Sequence, residues 1–193
     1  MALGKQLVSA AVAAFMGGVA HAADGPFGVS MGENPDTVGC KPTEIAGVYR
    51  CATLPKPHSA FEFYAVKSTP ETGICWVKGI GTDIDTNAAG SSIRSKVDEL
   101  GEQIALTYGK SEHDDWLMPG SIWSDYEDWM MGLLKDERIY AYKWSDPAKN
   151  ALVLVYLSAS ASNSTTAYPV VEFSFSNKAK CDELIKKQEA GSF

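Results

Sequence analysis

A chain of 193 residues with 24 acidic and 17 basic side chains has a formal net charge of −7. This balance excludes the basic surface that nucleic acids and anionic membranes require, and it suits a cationic partner or simple solubility. The length is enough for one domain with a real core, without the dense cross-linking that mini-proteins need.

The N-terminus reads as an export signal. Met1 to Gln6 has one lysine and no acid, an Ala/Val-rich apolar run follows from Leu7, and Ala20-His21-Ala22 supplies a small-x-small cleavage pattern. The run is too short and too rich in Gly and Ala for a good membrane span. Residues 1–22 are therefore expected to be a cleaved signal peptide of bacterial type, and residues 23–193 a periplasmic or secreted domain with no membrane insertion. Cleavage takes Lys5 from the 17 basic side chains and nothing from the 24 acids, which leaves net −8.

Cys40, Cys51, Cys75 and Cys181 all lie beyond the cut. An even count in an exported chain reads as two disulfides with three possible connectivities. Metal-ligand spacing is absent, with no C-x-x-C and no His within four residues of a Cys. The short segment between Cys40 and Cys51 can fold back on itself, so Cys40–Cys51 and Cys75–Cys181 is the expected pairing.

In chain order, Phe27 to Gly32 reads as a short extended opener, and Ile45 to Thr53 has strand composition. Phe61, Phe63 and Ala65 share one face of a strand that turns through Pro70 and Gly73 into Ile74–Ile80. A helix from about Ser92 to Tyr108 shows the apolar stripe Ile93, Val97, Leu100, Ile104 and Tyr108, with Gly109 placed to end it. Ser124 with Glu127 forms a capping box for a second helix. Arg138–Trp144, Ala151–Ser158 and Tyr168–Ser176 read as strands, with Ser158–Thr166 a polar loop. Asn177 is placed to cap a last helix with Cys181, Leu184 and Ile185 on one face. The expected fold is α+β: a mostly antiparallel sheet of about six strands with two or three helices packed to one side. An internal echo, Tyr64-Ala-Val-Lys-Ser with Asp98-Glu-Leu against Tyr140-Ala-Tyr-Lys-Trp-Ser with Asp182-Glu-Leu, points to two pseudo-repeated halves.

Gly28-Val-Ser-Met-Gly32 matches the G-x-S-x-G nucleophile elbow, but Asn34 and Pro35 favour a turn where that motif needs a helix. His113 lies among Glu112, Asp114 and Asp115, yet consecutive residues cannot all face one ion, so a solvated acidic turn is expected rather than a metal site. Neither a phosphate loop, a dinucleotide fingerprint nor H-E-x-x-H occurs, so no cofactor or metal is implied and the reading leans away from an enzyme.

The least generic stretch is residues 112–144, with Trp116, Trp123, Tyr126, Trp129, Tyr140, Tyr142 and Trp144 among eight acids and three bases. Trp129, Tyr140 and Tyr142 are expected to feed the core. Trp116, Trp123, Tyr126, Asp114 and Asp115 are expected to form a binding rim on a loop whose Pro119-Gly120 keeps it out of the sheet. The leading expectation is a non-enzymatic exported interaction protein, an inhibitor or immunity-type binder of a basic cell-wall-active protein. The alternatives are a glycan-binding module using Trp116 and Trp123, and a hydrolase with Ser30 as nucleophile.

Overall fold

The computed structural model describes residues 25–191. The expected signal peptide lies outside them. Among the described residues three α-helices accompany one open antiparallel sheet. The helices are α1 (Ser91–Tyr108), α2 (Trp129–Leu134) and α3 (Lys178–Ala190). The strands are β1 (Lys41–Pro42), β2 (Val48–Cys51), β3 (Phe61–Thr69), β4 (Gly73–Gly81), β5 (Ile84–Asp85), β6 (Glu112–Leu117), β7 (Arg138–Ser145), β8 (Leu152–Asn163) and β9 (Thr166–Phe175). Their order is β1-β2-β3-β4-β9-β8-β7-β6, with β5 attached to β9.

Among the described residues nine strands exceed the six expected: the short β1 and β5 and the edge strand β6 are the surplus, and β8 is longer than expected. The polar stretch after Ser158 continues β8 to Asn163 and turns straight into β9, pairing Asn163 with Thr166. Its Ser, Thr and Ala side chains are small and little different in loop or strand, so only the pairing partner decides. The acidic segment at 112 pairs with β7 from Glu112↔Lys143 to Leu117↔Arg138, so it is a strand rather than a turn. Phe27 lies in a short 3-10 turn, Pro26–Gly28, not in an extended opener.

Alternation along each strand sorts the side chains between two faces. Tyr64, Val66, Val77, Tyr140, Trp144, Val155, Leu157 and Phe173 lie on one face, in a single cluster with Ile93, Val97 and Leu100 of α1 and Met130 and Leu133 of α2. The α1 stripe thus follows its 3.6-residue period into the core. The helix begins at Gly90, whose φ of 69° admits no side chain cheaply, and a Cβ there would meet the Trp129 ring at 2.2 Å. Asn87 and Thr86 supply the caps: Ser91 N–H donates to Asn87 Oδ1 at 2.9 Å and Ser92 N–H to Thr86 Oγ1 at 3.1 Å.

Helix α3 departs from the expectation of one helical side. Cys181 and Ile185 form a separate cluster with Cys75 and Trp76, backed by Ala46 and Ala65. Trp76 opposes Lys67 across β3 and β4 and so faces away from its neighbour Val77, which is in the main core. The sheet therefore has α1 and α2 on one face and α3 on the other. The cause is Cys75, which lies at a register shift where Trp76 pairs with Lys67 but Ile74 with Ser68. Its side chain thereby leaves the main core and meets Cys181.

Both disulfides form as paired in the sequence reading, Cys40–Cys51 and Cys75–Cys181, with Cα atoms 4.2 and 6.4 Å apart. They point to an oxidising compartment, and among the described residues no helix is long and apolar enough to cross a membrane.

Two local readings change. The Asn177 side chain makes no helix-capping bond; its Nδ2 donates to the carbonyls of Thr72 and Ile74 at 3.1 and 3.3 Å, tying α3 to the β3–β4 turn. The Ser124–Glu127 capping box also fails to form, and a 3-10 turn at Tyr126–Asp128 precedes α2.

The echo has a geometric counterpart, but a crossed one. β1–β4 and β6–β9 are each a four-strand meander followed by a helix, and they meet at β4 and β9. A twofold normal to the sheet would exchange β3 with β8, whereas the echo aligns β3 with β7. It would also keep both helices on one face, and they are not. Each echoed aspartate docks instead on the other half's strand: Asp98 meets Tyr140, and Asp182 meets Lys67 at 3.2 Å.

Candidate functional site

β6 forms one margin of the sheet. Its inner side pairs with β7, and its outer backbone is the edge of the sheet. The pleat divides its side chains. His113, Asp115 and Leu117 turn toward the α1 face, while Glu112, Asp114 and Trp116 turn to the face that carries α3 at its far end. Asp114 and Asp115, both expected in one site, are therefore on opposite sides of the sheet.

On the α1 face the strand is tied down. Asp115 forms an ion pair with Arg138 at 2.6 Å. His113 stacks on Tyr142 at 4.4 Å and meets Tyr140 edge-on at 5.0 Å. Beneath it, Asp98 of α1 accepts hydrogen bonds from Tyr140 at 2.6 Å and Tyr142 at 2.9 Å through one oxygen. Burial, reinforced by this carboxylate, pushes the Tyr142 hydroxyl up to about 12 and raises Tyr140 as well. The Trp129 ring is buried under the guanidinium carbons of Arg94 and Arg138, 5.6 and 5.8 Å from its centre. This network holds α1 and β6 to β7. Sequence reasoning missed Asp98 because it lies 42 residues from Tyr140 and only the fold brings them together.

The open face has a different character. Trp116 is 46% exposed beside Ile139, its partner on β7, which is 40% exposed. The chain then leaves the sheet through Met118, 45% exposed, turns at Gly120, and passes Ile122 and Tyr126, 76% and 69% exposed. Trp123 is half-buried, with its backbone N–H on Ser121 Oγ at 3.1 Å. Five of the nine large apolar side chains exposed among the described residues thus lie between positions 116 and 139. Asp114 on β6 and Asp125 and Glu127 in the segment after it are exposed as well. Tyr156, also on this face, has its hydroxyl raised, first by burial and then by the charges of Asp114 and Glu172.

The other sequence candidates do not assemble. Ser30 donates its backbone N–H to Glu33 at 3.0 Å, and a 3-10 turn rather than an α-helix follows it. His58 is engaged elsewhere: Nδ1 accepts from Ala60 N–H at 3.2 Å, and Nε2 lies 3.1 Å from Gln103 Oε1. Among the described residues no histidine reaches the Ser30 hydroxyl, and no group of three potential ligands could hold a metal.

No family model matches the chain, and neither a curated protein nor a solved structure resembles it at a significant level.

Proposed function

We propose that this is an exported, non-enzymatic recognition protein that binds a basic protein partner along the β6 edge and the loop after it. The observation that carries the reading is the exposure of Trp116 and Ile139 on neighbouring strands at the sheet margin and of Met118, Ile122 and Tyr126 in the segment that follows β6, with Asp114, Asp125 and Glu127 exposed as well. Large rings and thioethers supply area that is released from water on docking, and the acids steer a cationic surface. Of the three carboxylates on β6, Asp115 is paired with Arg138 and Glu112 lies 3.7 Å from Lys143, so it is Asp114, with Asp125 and Glu127 of the loop, that favours a basic partner. An inhibitor-like or immunity-type role toward a basic cell-wall-active protein fits this chemistry and an oxidising compartment.

The test is biosensor titration against a basic lysozyme, with chitotriose as a glycan counterpart. Protein binding that weakens steeply with ionic strength, and that loses on the order of 2 kcal/mol in Trp116→Ala, is expected. Chitotriose binding insensitive to salt would move the reading to a glycan module. Lysozyme binding that Trp116→Ala leaves unchanged would remove this edge from the contact.

A further inference from the structure

Among the described residues the two margins of the sheet are unlike. The β1 margin is two residues long and contains Pro42, which has no N–H to offer a further strand. The β6 margin is six residues long, in unbroken register with β7, with no proline and no bulge. Every residue of it from Glu112 to Trp116 is exposed.

Which of its backbone groups are free follows from two bonds that continue the ladders on either side of β7. Met118 N–H donates to the Glu137 carbonyl at 2.7 Å, one step beyond the pair Leu117↔Arg138. Asp146 N–H donates to the Val153 carbonyl at 2.9 Å, one step beyond Ser145↔Leu154. Bonded residues alternate along an antiparallel ladder. Glu112, Asp114 and Trp116 therefore turn their N–H and C=O toward β7, and His113, Asp115 and Leu117 turn theirs out of the sheet. The side chains of these outward residues are engaged on the α1 face. Asp115 holds Arg138 at 2.6 Å, His113 stacks on Tyr142, and a Cβ on Gly132 of α2 would stand 3.4 Å from Leu117 Cδ1. The edge is thus preformed, with an N–H and a C=O facing outward at every second residue, about 7 Å apart.

The open-face side chains select what can pair there. In an antiparallel addition His113, Asp115 and Leu117 form the hydrogen-bonded pairs. Asp114 and Trp116 form the others, in which facing side chains approach most closely. Asp114 is exposed and forms no ion pair among the described residues. β6 carries no lysine or arginine, so a second copy paired strand to strand offers Asp114 no cation. We propose that a partner docks on β6 by adding an antiparallel strand, in which an apolar residue faces Trp116 and, two residues later, a lysine or arginine faces Asp114. This rests on the reading of β6 as a recognition edge and specifies the means: main-chain bonds supply the hold, and the two open-face positions supply the selection.

The probe is a disulfide-cyclised hairpin peptide whose free edge reads Thr-Val-Thr-Lys-Thr with the threonine amides outward, titrated into the periplasmically produced protein. Amide hydrogen exchange is expected to slow at His113, Asp115 and Leu117 on binding, with Asp114 and Trp116 unchanged. Methylating the central threonine nitrogen keeps charge and side chains but removes one main-chain donor, and should weaken binding about tenfold or more. Replacing the peptide lysine by glutamate should weaken it as well, and Asp114→Lys in the protein should restore it. No binding up to millimolar concentration, equal binding of the methylated peptide, or binding without protection of the outward amides overturns strand addition. Protection of the same amides that rises with protein concentration in the absence of peptide makes a second copy the occupant and also overturns it. The lysozyme titration with Trp116→Ala decides the recognition edge separately: binding there with failure here keeps the edge and removes the added strand.

Discussion

Under α1 and α2, Trp144, Tyr64, Phe175, Ile93, Met130 and Leu157 are each almost fully buried in one continuous cluster. On the opposite face of the same sheet, α3 docks through Cys181 and Ile185 onto Cys75 and Trp76, and most of the remaining face carries half-exposed side chains. The first face is held by apolar area. The second is held by a covalent bond, a close approach and a few ions. A Cβ on Gly47 would stand 2.4 Å from Ile185 Cδ1, so the turn before β2 presses directly on the helix. Lys67 and Lys178 meet Asp182 there. Burial alone would raise that carboxyl, but the two ammonium groups outweigh it and hold it below the ordinary range. One sheet thus supports two elements by different means, and the lightly held face is the one left free to present Trp116.

The contrast can be broken most severely at Trp144. Trp144→Ala empties the centre of the α1 face and orphans the Gly109 carbonyl, which accepts the indole N–H at 2.8 Å. The loss should be about 3–5 kcal/mol of global stability, read by denaturant unfolding with an unchanged slope. On the other face, Cys181→Ala opens a closure of 106 residues. It should cost about 2–4 kcal/mol, and hydrogen exchange should show α3 losing protection while β7–β9 keep theirs. Simultaneous exchange of both regions would mean that the two faces unfold as one unit. Trp116→Ala should cost only about 0.5 kcal/mol. A loss comparable to that of Trp144→Ala would place the ring in the core and remove the recognition edge.

A last effect is confined to alkaline pH. Tyr142 titrates at about 12 when folded and near 10 when unfolded, so the folded state holds its proton longer. The stability it contributes is complete below pH 10 and is lost as pH rises from about 10 to 12. Tyr142→Phe should flatten that part of the pH–stability curve relative to the parent. An unchanged alkaline limb would show that neither burial nor the bond to Asp98 holds the Tyr142 proton in the folded state.

Much of this was legible from local pattern. The α1 stripe, the β3–β4 hairpin and the alternation of Val171, Phe173 and Phe175 depend on periodicity, which any apolar environment rewards in the same way. The cysteine pairing was legible too, because a short loop and a helix face left one convenient solution. What only the tertiary structure decided is carried by position rather than composition. Glu112–Leu117 has the make-up of a solvated turn and became a strand because β7 offered an unpaired edge. A single register shift at Cys75 sent α3 to the second face. The pleat then set Asp114 and Asp115 on opposite sides, although they are adjacent in the chain. The carboxylate shared by Tyr140 and Tyr142 comes from a residue far away in the sequence. No local propensity encodes such meetings, because their energy exists only once the sheet has closed the distance.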